Sequence, residues 1–293
     1  MLALVSLTIA VGIFFDARPR VGARSAALWA VATLLGLGLV APLYLLMRPS
    51  RAPAWGILEI LALTLFFTMI VPLIGQLLHV RAAGAPPLPT IAALAVLQNA
   101  VFAAAAVYVA RVKYRLPLAA LGLTIGAWSQ RLRQGAIAAA AGIAANSVGQ
   151  SATVAALAIW MGRQAANDLV VRDEVHTPVY RILPQLHQRG EIAVLAVLVG
   201  IVVPIGEEIF FRGLAFGALR RVMNRHLAVL LSALFFAAAH LEPVALVPIV
   251  LLGVVLAYTY DYTGSLAPGM IAHGVNNLAA LFVFYQSPTP GSS

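Results

Sequence analysis

Glu207-Glu208-Ile209-Phe210-Phe211-Arg212 stands inside an apolar run that begins near Ile192. A run of that length reads as a helix in a bilayer, where an ionisable side chain at the centre costs roughly 2.5–3.5 kcal/mol on insertion scales. Three such groups within six residues must therefore face the protein interior and serve a purpose. Their spacing separates the roles. Glu208 and Arg212 are four apart, share a helix face and can pair. Glu207 points about 100° away from them. One carboxylate is neutralised by its own helix, and the other is left for a different partner. Glu207 is the candidate for chemistry.

The composition extends that reading to the whole chain. Hydrophobic residues make up 62% of the 293, charged residues 10%, and the mean hydropathy is +0.94. The expected fold class is all-α, a polytopic transmembrane bundle of about eight to nine helices. Apolar segments run roughly over 2–15, 25–47, 54–78, 90–110, 135–160, 191–219, 226–240, 244–260 and 266–285. The first reads as a retained helix, because it lacks a basic n-region and a clear cleavage site. Trp128 to Gln134, with Arg131 and Arg133, reads as a short interfacial helix. Residues 1–134 are taken as N-terminal transmembrane helices with that interfacial segment, and 135–293 as the catalytic core, with its motifs inside 204–277. A polar connection of about 29 residues, Gly162 to Gly190, holds His176 and His187 and leaves no sizeable soluble domain.

The net charge of +9 excludes little by its size and much by its placement. Lys and Arg lie between apolar segments, where they anchor helices to the bilayer, and no nucleic-acid partner is expected. Counting basic residues puts Arg48, Arg51, the Arg111–Arg133 stretch, Arg220, Arg221 and Arg225 on the cytoplasmic side. Arg18, Arg20, Arg24, Arg81 and the 162–190 connection fall on the other. The Ala-, Gly- and Arg-rich, Lys-poor composition suggests a bacterial inner membrane. Zero cysteines exclude disulfides, thiolate metal sites and a cysteine nucleophile. No internal repeat supports a transporter built on inverted repeats.

Two further motifs complete a constellation: Phe236-Ala-Ala-Ala-His240 and His273-Gly-Val-Asn-Asn277. Helical rise places Glu207 about 20 Å from Arg220, His240 about 21 Å from His226, and His273 about 14 Å past Gly264. All three thus reach similar depth from one side. Glu207 and His240 can share a water and take its proton. His273 and Asn277 offer two donors one turn apart, as a developing oxyanion requires. Other intramembrane designs are missing: there is no His-Glu-x-x-His, Asp261 is the only Asp after Asp173, and Ser232 lacks a glycine-flanked context. Glu59 reads as a packing or snorkelling residue, and the Gly213–Gly217 step as close helix packing.

Pro204 to Gly213, Phe236 to His240, and Gly264-Ser265-Leu266 followed by His273 to Asn277 together resemble the CPBP family. These are the CAAX prenyl proteases and bacteriocin-processing or immunity proteins, once called the abortive-infection family. The resemblance covers about residues 190–285. It implies an all-helical intramembrane endopeptidase in which Glu207 and His240 activate water, His273 and Asn277 stabilise the oxyanion, and Glu208 and Arg212 hold the helix. Many relatives carry a glycine one turn after the position of Gly253, where this chain has Ala257. The favoured reading needs no cofactor. Zinc is the rival, with Glu207, His240 and His273 as its ligands, but an asparagine amide is a poor zinc ligand and a good oxyanion donor. The expected partners are a protein or peptide substrate at the membrane and the lipid bilayer. The alternative function is a non-enzymatic membrane partner, immunity protein or transporter that uses the buried polar cluster structurally.

Overall fold

A computed structural model describes residues 2–50, 52–65, 67, 87–176, 182, 183, 186 and 188–286. Among these, every regular element is a helix and no strand occurs. Nine helices organise the description: α1 Leu2–Val21, α2 Ala23–Met47, α3 Leu88–Lys113, α4 Trp128–Met161, α5 Arg163–His176, α6 Arg189–Val222, α7 Arg225–His240, α8 Leu246–Thr263 and α9 Leu266–Gln286. Five of them, α3, α4, α6, α8 and α9, are long and apolar enough to cross a membrane. The expected eight to nine crossings also needed α1, α2, α7 and residues 54–78. Part of that last segment lies outside the described residues, and α7 is a shorter apolar helix.

The chain divides into two compact units, residues 1–83 with 107–117, and residues 84–106 with 118–293. In the first, α1 ends at Gly22, whose φ of 83° is glycine territory. Arg20 and Arg48 both bind Asp16, at 3.1 and 3.0 Å, and the Tyr44 hydroxyl donates to the same carboxylate at 2.5 Å. A straight 25-residue helix would hold the two ends of α2 about 37 Å apart. Instead α2 breaks at Gly36, which has φ −143° and ψ 47°, and returns towards its start. This corrects the expected orientation, which put Arg20 and Arg48 on opposite sides, and it removes 25–47 as a simple crossing. Glu59 is packed, not snorkelling. Its buried carboxylate takes Lys113 at 2.8 Å, the Tyr114 hydroxyl at 2.7 Å and the Gly56 N–H at 2.9 Å.

In the second unit α4 runs unbroken for 34 residues, about 51 Å. The expected short interfacial helix at Trp128–Gln134 is therefore the first two turns of a helix longer than the hydrocarbon core. Gly135, Gly142 and Gly149, seven apart, form one stripe of α4. A methyl group on them would meet Ile271, Asn276 with Leu252, and the Pro248 backbone, so the stripe lets α8 and α9 approach closely. Gly162, at φ 87°, ends α4. The polar connection that follows is not wholly irregular, since α5 occupies its first half and His176 is the last residue of that helix. His187 lies outside the described residues.

Candidate functional site

Helix α6 carries the charged stretch, and it is not a plain α-helix. Its hydrogen bonds widen to the π pattern over Leu198–Val202 and again over Glu208–Phe216, with Val203–Glu207 α-helical between them. Such segments are rare and concentrate at functional sites. Pro204 gives part of the local cause. The Val203 amide reaches back five residues to the Leu198 carbonyl, and Pro204 has no N–H to donate. The Val199 carbonyl thus loses its donors four and five residues ahead. Asn277 Nδ2, from α9, donates to it at 2.8 Å.

Glu208 and Arg212 are both fully buried and joined at 2.8 Å. The guanidinium lies 4.2 Å over the Phe236 ring, and one of its nitrogens approaches the Gly253 carbonyl at 3.5 Å. Such a pair must have its remaining lone pairs engaged to offset desolvation. His273 engages one oxygen only: its Nδ1 meets the same Glu208 Oε1 at 3.1 Å, while Glu208 Oε2 and Arg212 Nε have no partner among the described residues. Because a carboxylate accepts, Nδ1 carries the proton. The ring's other nitrogen then faces Glu207 Oε2 at 3.6 Å. His273, 2% exposed, is set between two carboxylates. Glu207 is 9% exposed, and its Oε2 has no hydrogen-bond donor among the described residues.

His240 enters by another route. Its Nδ1 donates to the Phe236 carbonyl at 2.8 Å, which leaves Nε2 of a neutral ring as an acceptor. The Phe236 ring packs edge-on against His240 and His273, with centroids at 4.7 and 5.6 Å. Phe236 is thus a hub under Arg212, His240 and His273, a role sequence reasoning missed. Its place one turn before His240 was the available signal.

The structure therefore brings Glu207, Glu208, Arg212 and His273 into direct contact, joins His240 through Phe236, and holds Asn277 beside them on α9. Two details differ from expectation. The imidazole beside Glu207 is His273, whereas His240 was expected to share a water with it. His273 and Asn277 were expected as free donors, yet each already has a partner. The depth estimates share a physical origin, because Arg220 and Arg225 both bind Asp261, at 2.8 and 2.5 Å, three residues before Gly264. The ends from which depth was counted are tied together. Ala257, where relatives carry glycine, packs with Phe216, Ala228 and Val229. Gly213 fits its packing role, since a methyl group there would meet the Leu121 carbonyl at 2.8 Å.

The donor set for zinc was Glu207, His240 and His273. Among the described residues no group of three or more His, Cys, Asp or Glu is placed to hold a metal ion. His240 is held to its own helix by the Phe236 carbonyl.

Residues 189–279 match the family model described as type II CAAX prenyl endopeptidase, Rce1-like. The matched segment spans α6, α7, α8 and most of α9, and contains Glu207, Glu208, Arg212, Phe236, His240, His273 and Asn277. It agrees with the CPBP resemblance carried by the motifs. No curated protein and no solved structure matches the chain. The Rce1-like family is one of proteases, and with five helices suited to crossing a bilayer the chain is an integral multi-pass membrane protein.

Proposed function

We propose that this protein is an intramembrane endopeptidase that hydrolyses a peptide bond of a membrane-associated protein or peptide, in a bacterial cytoplasmic membrane. The observation that carries the reading is Glu207 Oε2, a buried carboxylate oxygen with no donor among the described residues, beside His273 and inside the segment matched by a protease family. A buried acceptor left unpaired costs about 1–3 kcal/mol, and a water is the natural donor to it.

In this reading Glu207 takes a proton from that water as its oxygen attacks the scissile carbonyl carbon, with His240 Nε2 the neighbouring base that can relay it. The carbonyl π electrons move onto oxygen. The second amide hydrogen of Asn277 meets the developing charge, while His273, its Nδ1 hydrogen held by Glu208, positions Glu207. Collapse breaks the C–N bond, and the proton held by Glu207 passes to the leaving amine. Glu208 and Arg212 act through His273, by fixing which nitrogen faces Glu207. No step requires a metal, so cleavage should survive exhaustive chelation. Loss on chelation followed by zinc-specific rescue would overturn the metal-free mechanism.

The deciding experiment compares newly formed protein N-termini in cells carrying the native chain and the Glu207→Gln variant at equal membrane abundance. A peptidase yields N-termini that vanish in the variant. Identical sets of N-termini would sink the reading and leave a structural role for the cluster.

A further inference from the structure

The matched segment begins at residue 189, yet one wall of the cluster comes from α3, outside it. Asn99 is 4% exposed and sits against Gly206, the residue before Glu207. A methyl group on Gly206 would collide with the Asn99 side chain and lie 2.8 Å from its Cα. One turn on, Phe102 stacks on Phe210, with ring centroids 4.9 Å apart and planes 18° from parallel. Asn99 and Phe102, three apart, share a face of α3. That face meets Gly206 and Phe210, which bracket Glu207 and Glu208.

The orientation of the Asn99 amide is fixed. Its Nδ2 donates to the Ala95 carbonyl at 2.9 Å, so Oδ1 is turned the other way and acts only as an acceptor. Oδ1 has no donor among the described residues, and neither has Glu207 Oε2. Two buried acceptors without donors thus lie on helices in contact at Gly206. One water placed between them would satisfy both by donating one hydrogen to each. Its lone pairs then point away from both oxygens, which is the orientation an attacking water needs.

We infer that Asn99 Oδ1 and Glu207 Oε2 share the attacking water, Glu207 taking one proton and Asn99 orienting the hydrogen that stays on the oxygen. Asn99 gains and loses no proton. It is a catalytic residue contributed by the half of the chain that the family match does not reach. This inference rests on the peptidase reading and adds a partner to it.

The test uses the full chain in proteoliposomes and a fluorogenic peptide spanning the cleavage site returned by the Glu207→Gln comparison. Asn99→Thr and Asn99→Val have the same shape and differ by one hydroxyl. Threonine hydroxyls in this chain already donate to the carbonyl four residues back, as Thr64, Thr153 and Thr259 do, which leaves the oxygen free to accept. The expected result is a kcat at least tenfold higher for the Thr variant than for the Val variant, with KM and unfolding temperature alike. Equal kcat values overturn the role of Asn99, and the inactivity of Glu207→Gln then leaves the peptidase reading standing. If the Val variant does not fold, Asn99→Ser against Asn99→Ala gives the same comparison, and equal rates again overturn the inference. A Glu207→Gln chain that cleaves at the native rate defeats the peptidase reading instead.

Discussion

At the scale of single residues, the two adjacent glutamates have opposite consequences when changed. Glu208 Oε1 faces both Arg212 and His273, at 2.8 and 3.1 Å, with no solvent to replace it. Glu208→Gln leaves Arg212 buried beside a neutral amide, and breaking such a pair costs roughly 3–5 kcal/mol. The variant should melt well below the native protein when unfolding is followed in detergent. Glu207→Gln removes a charge whose buried oxygen has no donor among the described residues. It should fold at the native temperature and lose turnover. Equal melting of the two variants would contradict the division of labour between them. That division was legible in the sequence, since four-residue spacing pairs Glu208 with Arg212 and turns Glu207 away. The contact of Glu207 with His273 was not, because it joins residues 66 positions apart on two helices.

At the scale of elements, α6 and α9 are fitted together by what Pro204 leaves undone. A methyl group on Gly274 would fall on the Gly200 carbonyl oxygen, the carbonyl four residues before Pro204. Asn277 meets the Val199 carbonyl one turn further along α9. Gly274→Ala must push the helices apart or strain them, at about 1–3 kcal/mol by the usual cost of overpacking. It should also carry Asn277 away from Val199. The expected outcome is a lowered unfolding temperature together with a loss of cleavage. A Gly274→Ala protein with native melting and native rate would show that this approach is looser than described. Helices α2, α3, α6, α7, α8 and α9 were readable from hydropathy to within about three residues, whereas the end of α1, the start of α4 and all of α5 were not. The π segments at 198–202 and 208–216 were not, because they depend on where displaced carbonyls find new donors.

At the scale of the whole molecule, basic residues alone misplaced Arg20 relative to Arg48. The rule counts charges per connection and assumes that every apolar segment crosses. Here α2 breaks at Gly36, and both arginines reach Asp16. The absence of cysteine makes the arrangement testable on a clean background. Single variants Arg20→Cys and Arg48→Cys should react with a membrane-impermeant maleimide from the same side of sealed vesicles. Labelling from opposite sides would restore α2 as a crossing.

Composition determined that this is a helical membrane protein, because an apolar chain in lipid must satisfy its backbone within helices. Local spacing determined the Glu208–Arg212 pair and nominated Glu207, His240, His273 and Asn277, because residues one turn apart share a face whatever the rest of the chain does. Only the tertiary structure decided which imidazole touches Glu207, that Phe236 underlies both histidines and Arg212, and that Asn99 closes the wall behind Gly206. Those relations depend on distances between helices, and helix packing sets them through side-chain volume and displaced hydrogen bonds that no single helix contains.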